Sequence, residues 1–598
     1  MEEVRIPLLS RHSSDCNGVS SDPIAGDGGS FATNGRTSCY GGTEHVVSLE
    51  AESQNGHADY RLEIQEQDHR SSLEGRAVPA YQNSSSDTFS DQGPGLPIGT
   101  QRFSYPPIAN DHLQNVISCL GEQPCIGPQP SVDPFRNSTP NIVGLYAWTK
   151  IILCAPLLVA RVLLVVVLMC IGFVSTKLAL ARWKQKKSAM PKWRCNVMGV
   201  TRLCARGILF CFGFHWIRRI GRPAHREIAP IFVSNHVSYV DPIFYFYELF
   251  PSFVSSSSHN DIFLVGTIIK AMQVILVDRL SPDSRKDAAN EIKRRASCND
   301  FPPVLLFPEG TTTNGRAVIS FKLGAFVPGF PIQPVVVRYP HVHHDPSWGN
   351  ISLWKLVPRM LTQFHNFMEV EYLPIIYPSE AESQHPIEFA EKVRYEMATV
   401  LNVPETEHTY GDLMLLTKAS ELKLIPATSS MVEMGRVGKI FHLTTSEVKD
   451  YLNHFVAMGP NKRGFVTKGK FLETIDLPDC EFSNNIFLVF DKLKRGYFNF
   501  REFVGVLGFI SKNTAFDGLV TSAFEACDTD RDGCLSRSEV EQSLRTIFPQ
   551  VSGGWVEKIH SRLGSVGNDV VTYENFRTSL SKNPELFLIF TAAACMLQ

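Results

Sequence analysis

His236 and Asp241 are separated by four residues in the stretch "SNHVSYVD", directly after the apolar run "PIFVS". On a regular helix, positions five apart lie about 140° from one another, so these two side chains would not meet. A loop that runs into a helix can fold them together. The carboxylate then accepts one ring N–H of the imidazole, and the other ring nitrogen can take a proton from a hydroxyl. Such a pair also arises by chance and serves structure alone, so its meaning depends on what accompanies it.

Two further elements accompany it. "LLFPEGTTTNG", Leu305 to Gly315, ends an apolar strand in Pro-Glu-Gly and continues with three threonines, a composition suited to a backbone nest for an anion. Between the two, Arg279 comes after the strand-like "VILVD" and could clamp a phosphate bidentately, although a lone arginine more often serves a surface ion pair. After them, "FVPGFPIQPVVVRY" adds an apolar strand entered through prolines. No G-x-S-x-G nucleophile elbow is present.

A different chemistry is written near the C-terminus. "DTDRDGCLSRSE", Asp528 to Glu539, sets oxygen donors at loop positions 1, 3, 5, 9 and 12, with glycine at 6, the pattern of an EF-hand calcium loop. Asp528, Asp530 and Asp532 offer carboxylates, Cys534 its backbone carbonyl, Ser536 a water-mediated contact and Glu539 a bidentate carboxylate. "DKLKRGYFNFRE", Asp491 to Glu502, keeps the first and last acids, but Leu493 and Arg495 replace two ligands. Fainter copies from Gly459 and Gly564 end in Lys470 and Asn575 instead of glutamate. One calcium site is therefore expected.

N-H-x4-D, a strand-end arginine, F-P-E-G followed by threonine and a proline-bordered apolar strand, in this order, resemble the four motifs of the glycerophospholipid acyltransferase family. The resemblance covers about residues 200–380; with the flanking segments the chain is similar to the plant lysophosphatidylethanolamine acyltransferases that carry EF-hands. It implies transfer of an acyl group from acyl-CoA, as co-substrate, to a lysophospholipid, with lysophosphatidylcholine an alternative acceptor. It also implies a membrane location, the endoplasmic reticulum first and the Golgi or late endosome as alternatives. His236 would be the general base and Asp241 its orienting partner. Asn235, Arg279, Glu309, Gly310 and Thr311 would hold the acceptor. A thioester is already activated, so one base and good positioning suffice and no catalytic metal is expected. Lysophosphatidic acid or glycerol 3-phosphate as acceptor, and a catalytically inactive calcium sensor tethered to a membrane, are the competing readings.

The framework around these residues is read from patterning along 598 residues. Residues 1–140 are rich in Ser, Gly, Asn and Pro without sustained apolar periodicity and are expected to be a disordered polar tail. Asn83 and Asn137 begin N-x-S/T triplets there, which are common by chance. Residues 141–224 hold the membrane segment. Ile151 to Val174 is apolar apart from Arg161 and long enough to cross a bilayer, and lysines and arginines crowd its C-terminal flank, which places the downstream domain in the cytosol. Pro156 also permits a kinked, re-entrant hairpin that keeps both flanks on one side. Residues 225–400 alternate short β-branched runs with helix-prone pieces and read as an α/β domain. A linker over 401–430 leads to an all-α EF-hand domain over 431–598. The terminal "PELFLIFTAAACMLQ" suits either an interfacial tail or core packing. A formal net charge of -2 gives no basic excess for a nucleic-acid partner, and the 14 cysteines show no disulfide framework.

Overall fold

Seven short strands make one sheet. They are β1 (Arg218–Ile220), β2 (Ile231–Ser234), β3 (Ser252–Ser256), β4 (Ile275–Val277), β5 (Val304–Leu306), β6 (Ile332–Arg338) and β7 (Glu369–Tyr372), in the spatial order β1-β7-β6-β2-β5-β3-β4. In the computed structural model, which describes residues 108–124, 126–127, 132–183, 188–257, 263–278, 281–564 and 570–597, the five strands β2 to β6 run parallel. Among the described strands of this sheet, only β6 and β7 pair antiparallel.

Alternation along the central strands divides the core into two faces. Phe232, Leu305, Val335 and Val337 pack toward α4 (Lys192–Cys211) and α5 (Val240–Glu248). Ile231, Val233, Val304, Leu306 and Val336 pack toward α7 (Pro282–Ser297) and α10 (Pro386–Leu401). Because β2 and β5 are buried on both faces, their sequences are continuously apolar rather than alternating. A parallel sheet also brings the C-terminal ends of its strands to a common edge, where ligands bind in open α/β folds. The remaining helices of this part are α6 (Phe263–Ala271), α8 (Leu353–Leu361) and α9 (Glu380–Gln384).

Ahead of the sheet, α2 (Leu145–Leu153) leads into α3 (Ala155–Leu180), the one helix among the described residues long and apolar enough to cross a membrane. At 1.5 Å per residue it is about 39 Å long, and its outer face, including Leu163, Val167, Ile171 and Val174, is exposed. It pairs with α4 as a hairpin, sealed by Gly172, Thr176 and Thr201, where Thr201 Oγ1 lies 3.2 Å from the Gly172 carbonyl. Both ends of α3 rest on the same α/β core, Leu158 near the start and Ala179 and Leu180 at the finish. Arg161, the one charge in its apolar run, donates to the carbonyls of Leu361, Gln363 and Phe364. Arg202 and Arg206 of α4 likewise donate to the carbonyls of Tyr247 and Phe214.

The C-terminal part is helical. After α11 (Tyr410–Glu421) and α12 (Met434–Phe441) come four helix–strand–helix units. In the first pair, α13 (Thr445–Ala457), β8 (Phe465–Thr467) and α14 (Lys468–Ile475) face α15 (Glu481–Phe490), β9 (Tyr497–Asn499) and α16 (Phe500–Ser511) through β8–β9 pairing. In the second, α17 (Phe516–Cys527), β10 (Cys534–Ser536) and α18 (Arg537–Ile547) face α19 (Gly553–Arg562), β11 (Val570–Thr572) and α20 (Tyr573–Lys582) through β10–β11 pairing. The apolar terminal helix α21 (Pro584–Leu597) is core: Pro584 to Ala594 are buried, against α17 and α18.

Three expected boundaries change, the first because β1 (Arg218–Ile220) already belongs to the sheet expected to begin at residue 225. The polar tail does not extend to residue 140: α1 (Ile108–Leu120) buries a stripe of Ala109, Leu113, Val116 and Leu120 against α21 and α15. Beyond it, Phe135 and Asn137 are fully buried. Asn137 Nδ2 donates to the carbonyls of Asp345 and Ser347, so this amide is held inside the fold and not offered as a glycosylation acceptor. Asn83, with the rest of residues 1–107, lies outside the described residues. The expected linker over 401–430 contains α11, whose Asp412 caps its own helix at Thr409 and also accepts from the backbone of Val432 and Met434.

Candidate functional site

β2 ends at Ser234 and the chain turns immediately into the loop that carries His236, with α5 beginning at Val240. The loop-to-helix junction closes the pair: His236 Nδ1 lies 2.9 Å from Asp241 Oδ2. Asp241 is fully buried in the first turn of α5, and the same oxygen accepts the backbone N–H groups of Val237 and Ser238 at 2.8 Å each. Its other oxygen accepts the hydroxyl of Tyr339, the residue directly after β6. A carboxylate with four donors cannot rotate without losing several of them, so the imidazole edge is fixed. The His236 ring stacks on Phe307, centroids 4.1 Å apart and 17° between planes, and its side chain keeps 17% of its surface exposed. Only the edge bearing Nε2 is left for a ligand. A ring so held can accept a hydroxyl proton at Nε2 while Asp241 stabilises the resulting imidazolium.

β5 lies beside β2, and its end delivers the second element to the same edge. Phe307, Pro308, Glu309 and Gly310 form a tight turn closed by Gly310 N–H to Phe307 O at 3.0 Å, with proline second and glycine fourth at a φ of 70°. The turn is laced to the histidine loop at two points. The backbone N–H of His236 donates to Glu309 Oε2 at 3.2 Å, and Thr313 N–H donates to His236 O at 2.8 Å. Thr311 lies buried between them.

Glu309 is 1% exposed, and its Oε1 has no hydrogen-bond partner among the described residues. Burial, with the nearby Asp241 charge, pushes its carboxyl up to about 8 against the His236 and Thr313 hydrogen bonds that favour the anion. It is therefore largely a neutral acid at pH 7, able to offer a proton from a site where an anion would be costly. Burial first, and Asp241 second, push the Tyr339 phenol well above its usual range, which keeps it a donor.

The expected residues do not all converge. His236, Asp241, Glu309, Gly310 and Thr311 share the edge. Asn235 does not face the ligand side: its Nδ2 donates to Val337 O at 3.0 Å and its Oδ1 accepts Val337 N–H at 2.7 Å, which extends the β2–β6 pairing by one rung. Arg279 lies outside the described residues; β4, which ends two residues before it, points its C-terminus to the same edge. Sequence reasoning missed Tyr339 and Phe307, since an aromatic at a strand end reads as packing.

The acidic loop is a separate constellation. Asp528, Asp530 and Glu539 bring carboxylate oxygens within 4.8 Å of one another. Asp530 accepts a backbone hydrogen bond from Asp532, which favours its anion, yet slight burial and the carboxylates of Asp532, Glu539 and Asp528 leave it net above its ordinary value. Asp532 Oδ1 accepts the Cys534 N–H, and Ser536 caps α18 in a reciprocal box with Glu539. In the related loop the guanidinium of Arg495 pairs with Glu502 and lies 3.8 Å from Asp491, so a side-chain cation already stands between the first and last acids.

Comparison with known proteins agrees with this layout. The family model described as "Acyltransferase" matches residues 220–338, which run from the end of β1 to the end of β6. The chain is 50% identical over 481 residues to "Lysophospholipid acyltransferase LPEAT2" of Arabidopsis thaliana, covering 80% of this chain and 89% of that one. It is 33% identical over 446 residues to "Lysophosphatidylcholine acyltransferase 2" of Mus musculus, covering 73% and 80%. It is 33% identical over 399 residues to "Lysophosphatidylcholine acyltransferase 1" of Danio rerio, covering 66% and 76%.

The state of Glu309 gives the site a pH signature. Its pKa rises from an ordinary 4.5 when unfolded to about 8 when folded, so between these values the folded chain holds a proton the unfolded chain has lost. Stability should fall as pH rises through that window, by on the order of a few kcal/mol. Glu309→Gln, neutral at every pH, should flatten that decline in thermal unfolding of the full-length protein. An undiminished slope in the variant would show that Glu309 is ionised throughout.

Proposed function

We propose, since the chain belongs to the acyltransferase family, that it transfers an acyl group from acyl-CoA to the free hydroxyl of a lysophospholipid, lysophosphatidylethanolamine first. The observation that carries this reading is the closed His236–Asp241 pair at the C-terminal edge of the sheet, laced to the Glu309 turn. The substrate class named for the relatives supports the acceptor.

In this reading His236 Nε2 takes the proton as the acceptor oxygen attacks the thioester carbonyl, giving a tetrahedral intermediate and an imidazolium braced by Asp241. Collapse breaks the carbon–sulfur bond, and the CoA sulfur leaves with the proton that His236 returns. Neutral Glu309 fixes the backbone of His236. Removing a general base typically costs about 10²–10⁴ in rate. His236→Ala should lose at least a few hundredfold in acyl transfer while staying folded and membrane-bound, and Asp241→Asn should lose less. Near-normal turnover by His236→Ala, measured with a panel of lysophospholipids, would sink the mechanism.

We read the α3–α4 hairpin as embedded in one leaflet of an intracellular membrane, the endoplasmic reticulum first, with sheet and helical units on the cytosolic side. A helix about 39 Å long whose two ends pack on one body does not leave that body to cross a bilayer. The arginines of the hairpin, donating to backbone carbonyls, are compatible with partial immersion.

The paired helical units suit EF-hands with one calcium site. The convergent carboxylates of Asp528, Asp530 and Glu539, whose oxygens lie within 4.8 Å of one another, fit a divalent cation, which Asp532, Ser536 and the Cys534 carbonyl would complete. Calcium would there order the loop between α17 and α18. Arg495 supplies the Asp491–Glu502 loop with its own cation, which supports a count of one. Glu539→Gln should weaken calcium binding sharply, and Glu502→Gln should leave it unchanged, by calorimetry on the full-length protein. Two comparable binding events in the wild type, or none, would contradict the single site.

A further inference from the structure

The outward face of α8 carries a groove that the proposed chemistry does not use. Its inward face, Leu356, Met360 and Leu361, is buried, and Met360 Sδ accepts the hydroxyl of Tyr239 at 3.1 Å. Tyr239 belongs to the loop between His236 and Asp241, so this face of α8 backs the site. On the other face, Lys355 and Arg359 stand one helical turn apart, with Trp354 next to Lys355 in the chain. They wall a cavity of about 480 Å³ whose opposite side is Trp148 and Ile151 of α2 and Leu158 of α3. That volume lies in the range of sites that hold a small organic molecule, about 300–1,000 Å³. No residue lining the groove hydrogen-bonds His236, Asp241 or Glu309 among the described residues.

Charge identifies the occupant. Lys355 has no acidic partner among the described residues, and Arg359 donates to the Thr139 carbonyl without an ion pair. Two cations one helical turn apart, above an apolar wall, match a phosphate on a hydrocarbon chain. Trp354, 91% exposed, and Trp148, 52% exposed, flank the opening as tryptophans do at a membrane–water boundary. The wall itself is the start of the apolar hairpin, and the bonds of Arg161 to residues 361–364 hold that wall against the end of α8. Basic pockets between membrane-inserted helices recognise anionic headgroups in this way.

We propose that this groove binds one intact phospholipid with an anionic headgroup, its phosphate at Lys355 and Arg359 and one acyl chain along Trp148, Ile151 and Leu158. The proposal rests on the membrane reading of α3 and not on the acyl-transfer reading. Bound there, the lipid ties α2, α3 and α8 together behind the loop that carries His236, and the protein is sensitive to the charge of the membrane it works on.

The test uses the full-length protein in phosphatidylcholine nanodiscs doped with phosphatidylglycerol bearing a photoreactive acyl chain, with adducts mapped by mass spectrometry. Adducts are expected in segments 145–158 and 353–362, displaced by unlabelled phosphatidylglycerol and not by phosphatidylcholine. Lys355→Glu should lower them about fivefold or more, with its thermal midpoint and acyl transfer in pure phosphatidylcholine showing that it is folded. His236→Ala should label as the wild type does, so failure of the acyl-transfer reading leaves this result standing. Labelling indifferent to Lys355→Glu, or displaced equally by phosphatidylcholine, would reduce the groove to ordinary lipid contact and overturn the proposal. Displacement by lysophosphatidylethanolamine alone would assign the groove to the acceptor and overturn it as well.

Discussion

The Asp241 carboxylate is the fixed point of the sheet edge that carries His236. It is fully buried, and its two oxygens gather the imidazole of His236, two backbone N–H groups of its own loop and the hydroxyl of Tyr339 just past β6. A buried charge without such donors would cost several kcal/mol. With them, it turns a flexible loop into a rigid one and ties that loop to two strands at once. Glu309 complements it: burial, with Asp241 close by, leaves the Glu309 carboxyl largely protonated. One buried acid is thus an electrostatic anchor and the other a neutral hydrogen-bonding group.

The same edge is braced from outside the sheet. The segment 133–139 lies against the loops on either side of the histidine: Asn314 N–H donates to Pro134 O, Asn350 N–H to Phe135 O, and Asn137 to Asp345 and Ser347. A few residues upstream, the Ile126 carbonyl accepts from Arg436 and from Arg501, the neighbour of Glu502 in the helical units. The loops beside His236 and the first pair of helical units therefore both hold parts of the segment ahead of α2.

Much of this is legible in the sequence because residue type fixes local geometry. The apolar run before His236, the Pro-Glu-Gly turn and the spaced acids from Asp528 each specify a short conformation with few alternatives. What escapes depends on partners far along the chain. Asn235 belongs to Val337, 102 residues on, and its sequence gives no hint that both ends of its amide serve a strand. Arg161 reads as a break in an apolar helix until its acceptors, about 200 residues away, are known. The helix α1 is hidden in a polar composition because its four buried residues form a narrow stripe. Tyr339 reads as strand packing, and only the fold brings its hydroxyl to Asp241.

The most direct test of Asp241 as the fixed point is the steady-state behaviour of Tyr339→Phe, which keeps the ring and removes one donor to the buried carboxylate. A hydrogen bond to a charged group contributes about 1.5–3 kcal/mol to stability, so the unfolding midpoint should drop and, with the imidazole less firmly oriented, kcat should fall about tenfold or more while KM for both substrates stays near that of the wild type. An unchanged kcat, or a loss expressed wholly in KM, would contradict the account, because the carboxylate would then orient His236 without the network described.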